Sequence, residues 1–113
     1  MKPCILVDFD RVIHKYSEGW KDGTIYDEPV EGAIEALKML REHFEVVIFT
    51  VLSDRGVERN LDIEEWLGKH GIYGIEVTNT KRNAIAYIDD KGIRFTDWRR
   101  TIQTMEEVLK WVR

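Results

Sequence analysis

The chain has 113 residues, 43% of them hydrophobic and 34% charged, with a formal net charge of −4. This length suits one domain with a packed core, spanning residues 1–113, and the acidic balance is not typical of a general nucleic-acid binder. Cys4 is the single cysteine, which excludes an internal disulfide and indicates a reducing compartment. No apolar stretch approaches the length of a membrane span, so we expect a cytoplasmic protein without a membrane partner.

The charge is unevenly distributed along the chain. In residues 79–113, eight Lys and Arg oppose five Asp and Glu, whereas the preceding residues are acidic overall. We interpret most of these charges as solvated faces. The alternative is a basic rim that faces an anionic ligand, and on this ground nucleic acid is a weakly supported partner.

The first half of the chain predicts two buried strands on either side of a helix. Residues 4–9 form a continuous apolar run, and residues 45–50 are rich in β-branched residues, as in strands covered on both faces. Between them, Pro29 marks the start of an amphipathic helix over residues 29–43. Residues 14–28 are polar and aromatic, and they predict either a β-hairpin flap around Asp22-Gly23 or an irregular loop.

The second half continues the alternation. Strands are predicted at residues 75–77 and 84–88, with a candidate fifth at 93–95. A helix over residues 56–69 is expected to face inward through Val57, Leu61, Trp66 and Leu67. A last helix from about residue 101 places its apolar residues on one face: Ile102, Met105, Val108, Leu109 and Val112. Strands alternating with helices indicate an α/β fold, a three-layer Rossmann-like sandwich with a central, mostly parallel sheet.

Polar residues follow the predicted strands at the points where they end. In sheets of this type, ligands bind beyond the carboxyl ends of the strands. Asp8 and Asp10 end the first strand, and because they are two residues apart they can face the same cavity. The others are Thr50 after the second strand, Lys81 before the fourth, and Asp89 and Asp90 after it. We therefore expect a converging site.

Four carboxylates in a small space predict a divalent cation. Without compensation, their mutual repulsion would raise at least one pKa strongly. Mg²⁺ prefers oxygen ligands and is the common choice where phosphate is also bound. Lys81 and the metal would both aim positive charge at a phosphate, which favours phosphoryl chemistry with one aspartic acid as a proton carrier.

The order of these motifs resembles the haloacid dehalogenase (HAD) superfamily of phosphohydrolases. The similarity covers nearly the whole chain through "ILVDFD", "VVIFT", the lysine of "TNTK" and "AYIDD". The wider stretches "DFDRVIHKYSEGW" and "TNTKRNAIAYIDDKGIRF" are similar to a group of small bacterial and phage members. Neither usual insertion point is long enough here for a cap domain, which implies an open site.

The resemblance implies a role for each site residue. Asp8 would be the nucleophile that forms an aspartyl-phosphate, and Asp10 the general acid and base. Thr50 would donate a hydrogen bond to the phosphoryl oxygens, and Lys81 would hold nucleophile and phosphate together by charge. The implied Mg²⁺ ligands are Asp8, the main-chain carbonyl of Asp10, Asp89, and Asp90 directly or through water.

Two positions depart from the family pattern. Arg11 stands where a small residue, usually glycine, follows the second aspartate, and Leu52 stands where related chains often carry arginine. Arg11 would either distort the catalytic loop or reach the phosphate or substrate with its guanidinium group. Tyr16 and Trp20 are further candidate substrate contacts, whereas His14 is interpreted as structural.

The predicted function is a Mg²⁺-dependent phosphomonoesterase acting on a phosphorylated small molecule or nucleotide-like substrate. The alternative is a metal- or phosphate-binding module that Arg11 has disabled. A signalling receiver domain also uses acids, a threonine and a lysine, but there the lysine comes late, whereas here Asp89-Asp90 follows it. An oligomer is compatible with an open site that a partner subunit closes.

Overall fold

A computed structural model of the chain describes residues 1–51 and 56–112, with side chains up to Lys110. Leu52 and the side chain of Val112, both named above, lie outside the described residues. None of the helices within these ranges combines the length and apolar character that a membrane crossing requires. In chain order the elements are β1 (Cys4–Asp8), α1 (Ala33–His43), β2 (Glu45–Phe49), α2 (Val57–Lys69), β3 (Glu76–Thr78), β4 (Ala86–Ile88) and α3 (Trp98–Val112).

The four strands form one parallel sheet in the order β3-β2-β1-β4. This confirms the predicted α/β class with a parallel sheet. β1 is an inner strand: Asp8 pairs with Phe49 of β2 on one side, and Val7 pairs with Ile88 of β4 on the other. Because all strands run the same way, their carboxyl ends and the polar residues that follow them meet at one edge.

The main core lies between one face of the sheet and two helices. Ile5 and Val7 of β1 share this face with Val46 and Ile48 of β2. Against them pack Leu37 of α1 and three residues of α2: Ile63, Trp66 and Leu67. On the opposite face Leu6 and Val47 are also buried. Among the described elements, none contacts α3.

Three sequence predictions about the helices need correction. α1 begins at Ala33 because Pro29 instead bridges to His14, and Gly32, with a φ of 82°, precedes the first turn. In α2 the predicted inner residues Val57 and Leu61 are exposed. Arg59 and Ile63 are buried instead, next to Trp66 and Leu67. α3 starts at Trp98, since Asp97 accepts the main-chain N–H of Arg100 at 2.9 Å and so caps its first turn.

The strand predictions were closer. β3 and β4 are each three residues long and lie within two residues of their predicted starts. In the described part of the chain, residues 93–95 do not form a fifth strand. The segment is not paired with β4, so the sheet ends there.

The segment 14–28 is an irregular loop, one of the two predicted alternatives. Its base is closed by the bridge between His14 and Pro29 and by a 3.0 Å hydrogen bond from the Lys15 N–H to the Glu28 carbonyl. Inside the loop, the Tyr26 hydroxyl donates to the Gly19 carbonyl at 2.7 Å. These bonds fix the loop beside the carboxyl end of β1 without strand pairing.

Candidate active site

The carboxyl ends of β1, β2 and β4 border a cavity of about 400 Å³. All nine side chains predicted as catalytic, metal-binding or substrate-contacting line it: Asp8, Asp10, Arg11, Tyr16, Trp20, Thr50, Lys81, Asp89 and Asp90. Arg59 and Lys91, which the sequence analysis did not identify, line it as well. The parallel topology therefore gathers residues that are far apart in the chain.

Asp8 is the last residue of β1, and its carboxylate forms no ion pair with a cationic side chain within the described residues. Its Oδ1 accepts the N–H of Phe9 at 3.1 Å. Burial, followed by the charge of Asp90, raises the pKa of Asp8 to about 6, and this outweighs the lowering effect of the Phe9 hydrogen bond. Asp89 acts on Asp8 less strongly than Asp90 does. A cation at this position would hold Asp8 in its ionised form.

Asp10 is in the opposite situation, because both of its carboxylate oxygens have donors. Oδ1 lies 3.0 Å from Nδ1 of His14, and Oδ2 accepts from Nη2 of Arg59 at 2.9 Å. Burial alone would raise the pKa of Asp10, but the hydrogen bond from His14 and the charge of Arg59 outweigh it, so this pKa is lowered. The pKa values of Asp8 and Asp10, which are two residues apart, are thus shifted in opposite directions.

His14 is fully buried and orients Asp10. Its Nε2 accepts the main-chain N–H of Asp27 at 3.0 Å, so the ring proton of the neutral imidazole lies on Nδ1, facing Asp10. The ring stacks on Phe9 at 5.3 Å between centroids and meets Trp66 edge-on at 5.7 Å. The structural interpretation of His14 was therefore incomplete: the residue packs in the core and also contacts a site carboxylate.

Arg59 joins the site from α2. Its side chain is buried, with Nη1 donating to Oγ1 of Thr50 at 2.5 Å and Nη2 to Asp10. Its Nε is buried without a hydrogen-bond partner among the described residues. A sequence signal for this position exists, because residues 59, 63, 66 and 67 follow helical spacing and share the inner face. Because the inner face of α2 was predicted from apolar residues, the charged Arg59 was not included in it.

Thr50 is buried and held rigidly just beyond β2. Its N–H donates to the Thr78 carbonyl at 3.0 Å, and its own carbonyl accepts from Nδ2 of Asn79 at 3.0 Å. Asn79 in turn exchanges side-chain hydrogen bonds with Asn60 of α2. Because Oγ1 accepts from Arg59, the Thr50 hydroxyl proton is left to donate to another group.

The lysine and the acidic pair lie on the β4 side of the cavity. The Lys81 side chain is exposed, and its Nζ lies 5.8 Å from the Phe49 ring centroid and 5.4 Å from that of Tyr87. Oδ1 of Asp89 accepts the N–H of Lys91 at 3.1 Å and also that of Gly92. Asp89 is thus engaged in its own turn, whereas Asp90 exerts the stronger charge effect on Asp8.

Arg11 occupies the left-handed region of backbone space, with a φ of 70°. This is the conformation that glycine adopts readily and that a side chain disfavours. Its N–H donates to the His14 carbonyl at 2.7 Å, and its guanidinium carbon lies 4.9 Å from the centre of the Tyr16 ring. Trp20 is half-exposed and lines the cavity on the same loop. The turn directly after β1 therefore holds Arg11 in the backbone conformation that glycine adopts readily.

The charges that line the cavity are balanced among the residues that the structure describes. Four carboxylates, those of Asp8, Asp10, Asp89 and Asp90, oppose four cationic side chains: Arg11, Arg59, Lys81 and Lys91. Among the described residues, no three His, Cys, Asp or Glu side chains are already gathered closely enough to hold a metal ion. The oxygen donors are nevertheless of the type Mg²⁺ prefers, and the raised pKa of Asp8 marks the position where a cation would be stabilised.

Comparisons with protein-family models, with curated proteins and with solved structures give no match for this chain.

Proposed function

We propose that this chain is a Mg²⁺-dependent phosphohydrolase, a phosphomonoesterase of the haloacid dehalogenase type that works through an aspartyl-phosphate on Asp8. The observation that carries the proposal is that Asp8, Thr50 and Lys81 border one cleft together with Asp89 and Asp90. Phosphoryl transfer depends on positioning and charge stabilisation around the phosphate, and these groups supply a nucleophile, a hydrogen-bond donor and a cation.

The reaction has two displacements at phosphorus. In the first, a carboxylate oxygen of Asp8 attacks phosphorus, the bond to the leaving oxygen breaks, and Asp10 gives that oxygen a proton. In the second, water attacks phosphorus, Asp10 takes a proton from this water, and the bond to Asp8 breaks. Asp8 returns to its carboxylate form, and the net products are an alcohol and inorganic phosphate.

The environment of Asp10 suits the second displacement directly. His14 and Arg59 lower the pKa of Asp10, so it is ionised in the free protein and ready to accept a proton. For the first displacement Asp10 must carry a proton. A phosphate dianion bound beside it would raise its pKa by like-charge repulsion, which links protonation to substrate binding.

The charges of the side chains that line the cavity support a bound metal ion. The described side chains of the cavity sum to zero, so one Mg²⁺ gives them a net positive charge that a phosphate monoester dianion would neutralise. Asp8, Asp90 and the main-chain carbonyl of Asp10 would hold it, and Asp89 would take part if its turn rearranged. When bound, Mg²⁺ supplies charge stabilisation for the transferred phosphoryl group. Thr50, held by Arg59, would donate its hydroxyl proton to a phosphoryl oxygen.

The proposed substrate is a phosphorylated small molecule, and a nucleotide-like one is favoured by the aromatic side of the cleft. Arg11 lies over Tyr16, and Trp20 lines the same side, so a planar ring has a cation and aromatic faces to contact. For polymeric nucleic acid as a partner, the supporting observation is the basic composition of residues 79–113.

Three finer assignments are part of the same proposal. The first is a three-layer Rossmann-like sandwich, supported by the burial of Leu6 and Val47 on the face opposite α1 and α2; among the described helices, none occupies that face. The second is the absence of a cap domain, which leaves the cleft open to solvent. The third is a cytoplasmic location, supported by the single Cys4.

The test is hydrolysis of para-nitrophenyl phosphate with Mg²⁺ and with EDTA. We expect metal-dependent turnover that Asp8→Asn abolishes. Asp22→Asn, the same change at an exposed loop position, should leave turnover intact. Arg11→Gly separates the enzyme from a disabled binding module: activity gained only in Arg11→Gly would identify the native chain as catalytically silent. Activity that Asp8→Asn does not reduce would contradict the proposed chemistry.

A further inference from the structure

α3 presents an apolar seam that is largely exposed; Phe95 contacts one end of it, meeting Trp98 edge-on with 5.3 Å between ring centroids. Trp98, Ile102, Met105 and Leu109 follow the spacing 4-3-4, which places them in one line along the helix. Their side chains are 46–70% exposed. No other described element contacts α3.

A helix in this position needs a partner. Helices of about 15 residues are marginal in water on their own, and most helical stability in proteins comes from packing an apolar face. α3 has 15 residues and a strongly segregated apolar face. It is therefore expected to be stable only when that face is buried.

Exposed hydrophobic side chains are also found in the segment that precedes α3. Residues 85–109 present ten large exposed hydrophobic side chains, namely Ile85, Tyr87, Ile88, Ile93, Phe95, Trp98, Ile102, Met105, Val108 and Leu109. Five of them belong to α3, and these lie on or beside the seam that an α3–α3 pairing would bury.

We propose that α3 pairs with α3 of a second copy of this chain, in an antiparallel arrangement about a two-fold axis. The pairing would place Ile102 of one copy against Met105 of the other, and Trp98 against Leu109. Such an interface is isologous, so each contact occurs twice and the assembly closes as a dimer.

The charges beside the seam favour this partner and this direction. Arg99 and Glu106 lie seven residues apart on one flank of the seam. In an antiparallel pair, Arg99 of each copy meets Glu106 of the other, which gives two ion pairs. A parallel pair would instead bring that flank against Thr101 and Val108, so no opposite charges would meet.

Two other charged residues of α3, Arg100 and Glu107, do not flank the seam. Arg100 and Glu107 lie on its outer side, where Arg100 pairs with Asp97 at 3.7 Å and Glu107 with Lys110 at 3.1 Å. Within residues 1–51 and 56–110, no ion pair engages Arg99 or Glu106. The two residues that have partners within their own helix are thus distinct from the two that the dimer would pair.

The test is the mass of the full chain in solution, measured by analytical ultracentrifugation over a range of concentrations. We expect a dimer that Arg99→Glu or Glu106→Arg each weakens by about tenfold or more, because attraction becomes repulsion at both symmetric contacts. The double variant Arg99→Glu with Glu106→Arg should return to within about threefold of the native chain. Arg100→Glu and Glu107→Arg are the matched controls, and both should stay dimeric.

A second variant keeps the test decisive. Ile102→Lys should give a monomer whose circular dichroism retains the signal of the sheet and of α1 and α2. A native chain that is monomeric at all concentrations would overturn the proposal. Equal weakening by the reversals at 99, 100, 106 and 107 would overturn the antiparallel seam.

Discussion

Arg59 and Asp10 form a hydrogen-bonded ion pair, with 2.9 Å between Nη2 and Oδ2, although 49 residues separate them in the chain. The pair ties α2 to the loop after β1. Arg59 is buried while Asp10 is partly exposed, so the cation depends on this partner and on Thr50 for compensation. Together with the hydrogen bond from His14, the same contact lowers the pKa of Asp10 in the candidate site.

Replacing Arg59 by methionine should reveal both effects. Arg59→Met keeps the length of the side chain but leaves Asp10 and Thr50 without their donor. We expect a loss of about 2 kcal/mol in the free energy of unfolding and a rise in the pKa of Asp10. Denaturant unfolding and carboxyl carbon NMR measure the two. As the control, Arg41→Met removes a hydrogen bond to the Tyr73 carbonyl and should cost about 1 kcal/mol or less, with no change at Asp10. Equal losses would contradict the account.

The hydrogen bonds of His14 predict its tautomer. Nε2 accepts from Asp27, so Nδ1 should carry the proton and donate it to Asp10. Nitrogen NMR of the imidazole at pH 8 should show Nδ1 as a protonated nitrogen and Nε2 as an unprotonated one. His43, at the C-terminal end of α1 and exposed, serves as the reference for a solvated ring. A proton on Nε2 of His14 would mean that the proposed orientation of Asp10 is wrong.

Asp8 should make the metal-free protein less stable as the pH rises. Its folded-state pKa, about 6, lies above the ordinary value of 3.8, so the folded state holds the proton more tightly than the unfolded state does. The penalty is small at pH 4, grows between about pH 4 and 6, and is complete above that range. Asp8→Asn keeps the acceptor for the Phe9 N–H and removes the penalty.

The measurement is urea unfolding in EDTA at pH 4 and pH 8. After allowing for solvent screening at this partly exposed site, we expect Asp8→Asn to be the more stable protein at pH 8 by about 1 kcal/mol. The difference should shrink at pH 4. A native chain more stable than Asp8→Asn at pH 8 would show that Asp8 already has a compensating cation.

The backbone of Arg11 predicts an unusual order of two substitutions. Arg11→Gly and Arg11→Ala both remove the contact with Tyr16, so they differ in how easily they adopt a φ of 70°. We expect the glycine variant to be more stable by about 1 kcal/mol, the reverse of the order at ordinary positions. Thermal unfolding of the two variants side by side measures the difference. Alanine equal to or better than glycine would imply that the loop has another conformation.

The sequence was informative about the strand ends and less so about what surrounds them. The sequence alone predicts that Asp8, Thr50 and Asp90 lie in one site, because parallel strands end at one edge of a sheet. Arg59 could not be identified by a search for apolar residues on α2, although its helical spacing fits the inner face. His14 lies in a loop, where no periodicity predicts a contact.

The last helix illustrates a different limit. The spacing of Ile102, Met105 and Leu109 predicts an apolar face, and the structure has that face. Amphipathic spacing says which side of a helix must be buried, but it does not name the partner. In the proposed dimer, it is the charges beside the face, at Arg99 and Glu106, that favour a second copy as the partner.

The measurement that tests the central claim most directly is the capture of the phosphoryl group on Asp8. The native chain would be quenched in acid during turnover of para-nitrophenyl phosphate with Mg²⁺, and its peptides examined by mass spectrometry. We predict one phosphoryl group on the peptide that contains Asp8, released by hydroxylamine as an acyl phosphate should be, and absent from Asp8→Asn. Turnover with no such adduct, or with an adduct on another residue, would contradict the account.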